Sequence, residues 1–244
     1  MNKAAIILLT IFAIAFLTSC GAMRNRRTTD VGVVINGTRW ATRNVDAPGT
    51  FARHSEDAGM LYQWNRRMAW SATDEEVTGW LNRLRIRNRD RSREIEWDTS
   101  IPDGETWERV NDPCPPGWRV PTEAELQLLK EAGSTWITQN GVNGRLFGTA
   151  PNQIFLPAAG WRDSNGVLDF TGVMGCYWSN AHGISACEYE LAYFGLHETT
   201  IADMLKQGNI LFARDFVFTN IDALVSILNS NRERGLSIRC VSEN

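Results

Sequence analysis

Residues 107–126 read WERVNDPCPPGWRVPTEAEL, and the end of that string gives the first fixed point of the fold. Thr122-Glu-Ala-Glu125 is a capping box. The Thr122 hydroxyl accepts from the third helical N–H, and the Glu125 carboxylate reaches back to the N–H of Thr122. Pro121 stands just before it, and Gly133 follows as a C′ residue. Leu126 and Leu129, with the stem of Lys130, supply the buried stripe. The spacing predicts a helix that starts after Thr122 and stops before Gly133.

Short extended segments surround this helix. On its N-terminal side, Val31–Ile35 and Thr38–Ala41 flank Asn36-Gly37. That dipeptide favours a type I′ turn, because both central residues need φ > 0, so a β-hairpin is expected. On the C-terminal side, strands are expected at Ile154–Leu156, Val167–Phe170, Cys176–Ser179, Tyr189–Phe194, Ile210–Phe218 and Leu236–Val241. Two further helices fit between them. Thr200–Gln207 ends at Gly208, and Ile221–Leu228 follows Asn220 as N-cap. In the latter, Ile221, Leu224, Val225 and Leu228 stand at i, i+3, i+4 and i+7. The pattern is α+β, with short, mostly antiparallel strands and a few helices.

Composition agrees with a strand-and-loop body. The 244 residues include ten Trp and twenty Gly, a pairing that suits short strands and ordered loops better than helical repeats. The formal charge is −3, which disfavours nucleic acid as the main partner. One segment departs from that balance. RLRIRNRDRSR (83–93) places Arg at 83, 85, 87, 89, 91 and 93. If the segment is extended, period two puts all six on one face as a cationic stripe for an anionic partner. The plainer reading is a solvated insertion, part-neutralised by Asp74, Glu75, Glu76, Asp90, Glu94 and Glu96.

The N-terminus reads as an export signal. Lys3 is followed by an uncharged apolar run of 13 residues, Ala4–Phe16. A helix needs about 20 residues to span a bilayer, so this run has the length of a signal-peptide h-region. Leu17-Thr18-Ser19-Cys20-Gly21 then matches a bacterial lipobox, with Cys20 as the lipidated residue. The division expected is a signal peptide over 1–19, a lipidated tether over 20–30 and one domain over 31–244. Only Lys3 is charged in the leader, so cleavage takes the formal charge from −3 to −4. Acyl chains on Cys20 would hold the protein to a membrane without a transmembrane helix. Residues 21–27, GAMRNRR, lack the acidic run that marks surface export in Bacteroidetes, so the leaflet stays open.

Export also bears on the other cysteines. Cys114, Cys176, Cys187 and Cys240 would lie in an oxidising compartment, where an even number reads as disulfides. Four cysteines allow three pairings, and spacing does not choose among them. No CxxC or HExxH string occurs, and His54, His182 and His197 are the only histidines. No metal or cofactor is implied.

Six strings go further: INGTRWATRNVDAPGTFA (35–52), GMLYQWNRRMAW (59–70), WERVNDPCPPGWRVPTEAEL (107–126), IFLPAAGWRDSNG (154–166), GCYWSN (175–180) and RGLSIRCV (234–241). Together, and in this order, they resemble the Fibrobacter succinogenes major paralogous domain (FISUMP) family, common in Bacteroidetes lipoproteins. The resemblance implies a C-type-lectin-like fold, on the branch shared with formylglycine-generating enzymes and retroelement variable proteins. It implies a Cys114–Cys240 bridge, which leaves Cys176–Cys187 as a local second pair. Two stretches look longer than the family pattern, Arg83–Arg93 and Gly195–Asn229, and loops of that kind commonly carry a protein's own specificity.

The resemblance implies a ligand-binding or adhesion module at the cell envelope, lipid-anchored at the outer membrane, with a glycan or protein ligand. The variable-protein branch places its binding face between a YWS-type strand and the last strand. On this chain that points to Tyr177, Trp178, Ser179, Asn180 and His182, and to Asn229, Asn231 and Arg232. For Tyr177 and Trp178 the competing reading is a place in the core. An alternative role is a structural subunit of a fimbrial or envelope assembly, with the Ile221–Leu228 helix packed on its partner. A third is a formylglycine-generating-type oxidase, whose reactive cysteines would have to be Cys176 and Cys187, at a spacing unlike that active site. No G-x-S-x-G elbow or distinctive carboxylate pair occurs, so catalysis is not expected. Trp178-Ser179-Asn180 lacks the accompanying Glu-Pro-Asn or Gln-Pro-Asp string of calcium-dependent lectins, and no calcium requirement is expected.

Overall fold

The computed structural model describes residues 28–73, 79–81, 84–85, 97–183, 212–221 and 224–243. Cys20, most of the tether, Cys187, the Tyr189–Phe194 strand and the Thr200–Gln207 helix lie outside these residues, as does most of Arg83–Arg93. Among the described residues the protein is strand-rich α+β, with mostly antiparallel pairing and a single α-helix. No helix among them is long and apolar enough to cross a membrane.

The Asn36-Gly37 hairpin forms where its turn chemistry places it. Strands β1 (Val33–Ile35) and β2 (Thr38–Trp40) pair antiparallel, with Asn36 at φ 46° and Gly37 at φ 83°. Strand β16 (Val241–Ser242) joins β2 on one side and β7 (Trp118–Arg119) on the other. One sheet therefore gathers residues near the start, the middle and the end of the described chain. The Cys114–Cys240 disulfide pins it, across a separation of 126 residues. Of the expected Leu236–Val241 strand only its end joins this ladder. Leu236 and Ser237 instead make isolated bridges to Tyr62 and Tyr177.

Helix α1 (Glu123–Glu131) carries the full capping box. Glu125 N–H donates to the Thr122 hydroxyl at 3.2 Å, and Thr122 N–H donates to the Glu125 carboxylate at 2.8 Å. Arg119 adds two bonds to the same carboxylate, at 2.7 and 2.9 Å. Leu126 and Leu129 are fully buried, and Gly133 turns the chain at φ 75°. Thr122→Ala removes one half of the box and should cost about 1 kcal/mol. In a chain of this size that is a fall of about 2–4 °C in the unfolding midpoint, measurable by calorimetry.

A three-stranded meander follows: β8 (Ser134–Gln139), β9 (Val142–Thr149) and β10 (Asn152–Pro157). Asn140-Gly141 makes its first turn, at φ 49° and 83°. Next come the short pair β11 (Trp161–Arg162) and β12 (Leu168–Asp169), then the sheet β13 (Met174–Gly183), β14 (Phe212–Thr219) and β15 (Val225–Asn231). Earlier in the chain, β3 (Met60–Tyr62), β4 (Ala69–Ser71), β5 (Gly79–Leu81) and β6 (Leu84–Arg85) form a fifth antiparallel sheet.

Among the described residues the core is two clusters separated by the β13–β14–β15 sheet. Cys176 and Trp178 point into one, with Tyr62, Trp64, Trp118 and the disulfide. Tyr177, Phe216 and Phe218 point into the other, with Trp40, Leu126, Leu129 and Phe147. Adjacent residues of a strand face opposite sides, so the sheet is apolar on both. Arg239 is fully buried among these layers. Its guanidinium donates to Asn44 Oδ1 (2.9 Å), Ala41 O (3.1 Å) and Phe155 O (2.9 Å), linking three separate segments.

The Ile221–Leu228 helix is not formed. Val225–Asn231 is a strand on the edge of the sheet, and Ile221, Leu224 and Leu228, three of the four residues of the expected stripe, are 56%, 48% and 41% exposed. The physical reason is a competing period. Val225 and Ile227 alternate as a strand, and both pack on the second core cluster. Strand β14 offers them a partner along its whole length. The Ile221 N–H donates to the Thr219 hydroxyl at 3.1 Å.

Candidate functional site

The residues expected to form a binding face do come together, but mostly as core. Tyr177, Trp178 and Ser179 are fully buried, Arg232 is 2% exposed and Asn229 is 9% exposed. The Tyr177 hydroxyl donates to Pro157 O (2.9 Å) and accepts from Asn44 Nδ2 (3.2 Å). Trp178 Nε1 donates to Tyr62 O at 2.7 Å, and Ser179 O accepts from Trp64 Nε1 at 3.1 Å. Arg232 lies over the Trp64 ring at 4.1 Å and donates to Pro102 O and Phe212 O. Burial brings its guanidinium down to about 10. Four of these five residues are too enclosed to meet a ligand, because strand β13 runs between two core clusters. Asn229, at the edge, accepts from Arg214 at 3.2 Å.

Three residues of the expected face remain partly exposed: Asn180, His182 and Asn231. The backbone of Asn180 is tied to Trp107 N and Pro121 O, at 2.9 and 2.8 Å. The His182 Nδ1 donates to the Glu105 carbonyl.

Cys176 is a buried free thiol among the described residues, and its expected partner Cys187 lies outside them. Burial pushes that thiol well above its ordinary range, and the nearby Asp215 carboxylate pushes it further. Such a group stays protonated and inert, the opposite of a reactive cysteine or soft-metal ligand. Cys176 should resist alkylation at pH 8 in the folded chain and react fully in urea. Rapid labelling without denaturant would contradict its burial.

A concave feature lies towards the Met174 end of β13. It is an open cleft of about 650 Å³, within the size range of small-molecule sites. Asp46, Arg53, Glu56, Asp57, Met60, Ser71, Thr73, Asn143 and Thr171 give it chemical character, over a floor of Ala, Gly and Pro. The walls come from segments far apart in sequence. Met60 N–H donates to Val45 O (2.9 Å), which seats the 53–60 loop. Ala158 N–H donates to Asn143 O (2.8 Å), and Gly172 N–H to Ala158 O (2.7 Å). Asn143 Nδ2 closes the ring to Gly172 O at 3.0 Å. Small residues are required in two places. A Cβ on Gly59 would lie 2.2 Å from Val45 O, and one on Gly160 would lie 2.1 Å from Asp169 O.

A polar latch joins two of these walls. Glu56 accepts from Asn140 Nδ2 at 2.7 Å and from Ser55 Oγ at 2.9 Å. Gln139 donates to Ser55 Oγ at 2.8 Å and to Glu56 at 3.4 Å. The Asn140 bond, set against some burial, holds the Glu56 carboxyl down at about 2, from an ordinary 4.5. A depressed folded value stabilises the fold above the unfolded value, and that contribution fades as pH falls from about 4.5 towards 2. Glu56→Gln should therefore flatten that part of the acid limb in urea midpoints measured from pH 5 to pH 2. An unchanged slope would mean that the latch is absent in solution.

None of the cleft residues was reached from sequence, since they come from many segments and share no motif. The usable signal was Asn140-Gly141, a second Asn-Gly turn, which would have placed the β8–β9 hairpin and its corner at the cleft. Comparison with protein-family models, with curated proteins and with solved structures finds no match to this chain.

Proposed function

We propose that this protein is a lipid-anchored cell-envelope lipoprotein of the FISUMP kind, with a C-type-lectin-like domain that binds a ligand in the 650 Å³ cleft. The observation that carries the reading is the cleft itself. Its walls are cross-braced by backbone bonds and its floor is built of small residues, so it is preformed and needs little ordering on binding. The lipobox at Cys20 and the apolar leader support the envelope location, with the domain facing either side of the outer membrane. The strings at 35–52, 107–126 and 234–241 support the family. The binding site moves from the YWSN strand to the cleft, because the aromatic residues of that strand serve the core.

The test is an array of glycans and proteins probed with the full-length chain in vesicles. Thr73→Trp with Thr171→Trp fills the cleft from two exposed positions. That variant should lose the array signal while keeping its unfolding midpoint. Asn180→Ala with Asn231→Ala should keep it. The reverse pattern would return the site to the strand end.

One observation favours the second reading, a structural subunit of a fimbrial or envelope assembly. Among the described residues β15 has one strand neighbour, and its sequence VSILNSN holds no charge and no proline. Edges of that kind invite strand addition. Leu228→Lys should then abolish assembly and leave array binding intact.

A further inference from the structure

We infer that the cleft takes a neutral or amine-bearing oligosaccharide, with one sugar among the cleft carboxylates and the next over the Trp161–Phe170 ring pair. This rests on the ligand-binding reading above and names its ligand class.

The ring pair is the first observation. Trp161 and Phe170 lie 4.6 Å apart with planes 31° apart, and Phe170 is 50% exposed. Trp161 follows the cleft residue Ala159 by two, and Phe170 directly precedes the cleft residue Thr171. Both residues thus stand within two positions of a cleft residue in sequence, and neither lines the cleft; Trp161 packs on the first core cluster with Arg234 5.8 Å from its ring centre. Val167 and Val173, 54% and 51% exposed, flank them. Phe170 also holds φ 57°, a left-handed conformation that a bulky side chain adopts only at a cost. Gly160 packs beneath it, leaving no room for a Cβ, and the Phe170 carbonyl accepts from Val173 N–H and Met174 N–H at 3.0 and 3.1 Å. An aromatic residue kept exposed in a costly conformation points to use of its face. The C–H face of a pyranose suits that ring, whose π cloud is negative.

The second observation is the polar content of the cleft. Asp46, Glu56 and Asp57 face one Arg53, so the lining has an excess of carboxylate. Glu56 already accepts from Asn140 and Ser55, which fixes its orientation. Ionised oxygens held in place are strong acceptors for sugar hydroxyls. The same charge disfavours uronates and other acidic sugars. The volume and the adjacent rings suit two or three linked units better than one.

The experiment measures binding of maltoheptaose, cellohexaose, xylohexaose, chitosan hexamer and oligogalacturonate to the full-length chain in a detergent without sugar head groups. Calorimetry reads affinity. At least one neutral or amine-bearing oligosaccharide should bind, and oligogalacturonate should bind least. Phe170→Asn keeps a residue tolerant of left-handed backbone and removes the ring. It should weaken binding about tenfold with the unfolding midpoint unchanged or raised. Glu56→Gln should weaken it several-fold at pH 7. The inference is overturned if no neutral or amine-bearing member binds below about 10 mM, if oligogalacturonate binds best, or if Phe170→Asn binds unchanged. An array ligand of another class that the Thr73→Trp, Thr171→Trp variant no longer binds would overturn the saccharide and leave the cleft standing. Saccharide binding that survives in that variant would overturn both.

Discussion

Replacing Cys114 and Cys240 together by serine should lower the unfolding midpoint by about 10–20 °C. The bridge closes a separation of 126 residues. In the chain-entropy model a loop of that length limits the unfolded ensemble by about 5 kcal/mol at 25 °C. In a chain of this size each kcal/mol moves the midpoint about 2–4 °C. The native surroundings add to the effect. Cys240 is fully buried and its carbonyl accepts from Ala41 N–H at 2.9 Å. Cys114 N–H donates to Asp112 Oδ1 at 2.8 Å, and Asp112 Oδ2 accepts from Val120 N–H at 3.2 Å. The bridge thus sits where the hairpin, the 112–120 loop and the end of the chain meet. Single serine variants should fall as far as the double variant, since either one opens the loop. A loss under about 3 °C would mean that the residues stay together without the bond.

Trp178→Ala should cost about 4–6 kcal/mol and leave little folded protein at 37 °C. Truncating a buried Trp typically costs about 3–5 kcal/mol. The ring is fully buried in the first core cluster, and its loss also removes one of two bonds to the Tyr62 carbonyl, which keeps Leu236 N–H at 2.9 Å, so the lost bond adds about 1 kcal/mol. Urea unfolding followed by near-ultraviolet circular dichroism would register the change. The contrast with Asn180→Ala carries the meaning. If the YWSN strand were a ligand face, both variants would stay folded and both would lose binding. With Trp178 in the core, its alanine variant unfolds and the Asn180 variant keeps fold and binding.

How much of this was legible in the sequence depends on how local each signal is. The Asn36-Gly37 hairpin and the Thr122–Glu125 cap were read correctly because turn and cap chemistry act within a few residues. The Cys114–Cys240 bridge came from the family resemblance and is present in the structure; the four cysteines alone allowed three pairings. Ile221–Leu228 failed because its apolar spacing satisfies two periods, and the choice lies with a partner strand that local pattern does not show. The cleft was invisible for a stronger reason. Asp46, Glu56, Ser71, Asn143 and Thr171 are spread over more than half the chain, and only tertiary pairing brings them to one place. Trp178 and Arg232 illustrate the reverse error. Aromatic and cationic side chains suggest contact with a ligand, yet here each bonds a backbone carbonyl in the interior.

Difference hydrogen exchange on the full-length chain, with and without its tightest array ligand, tests the central claim most directly. Binding in the cleft predicts slowed exchange over 53–60, 141–143 and 171–173, with 180–182 and 229–232 unchanged. Slowing confined to 180–182 and 229–232 would contradict it and restore the strand end as the recognition face.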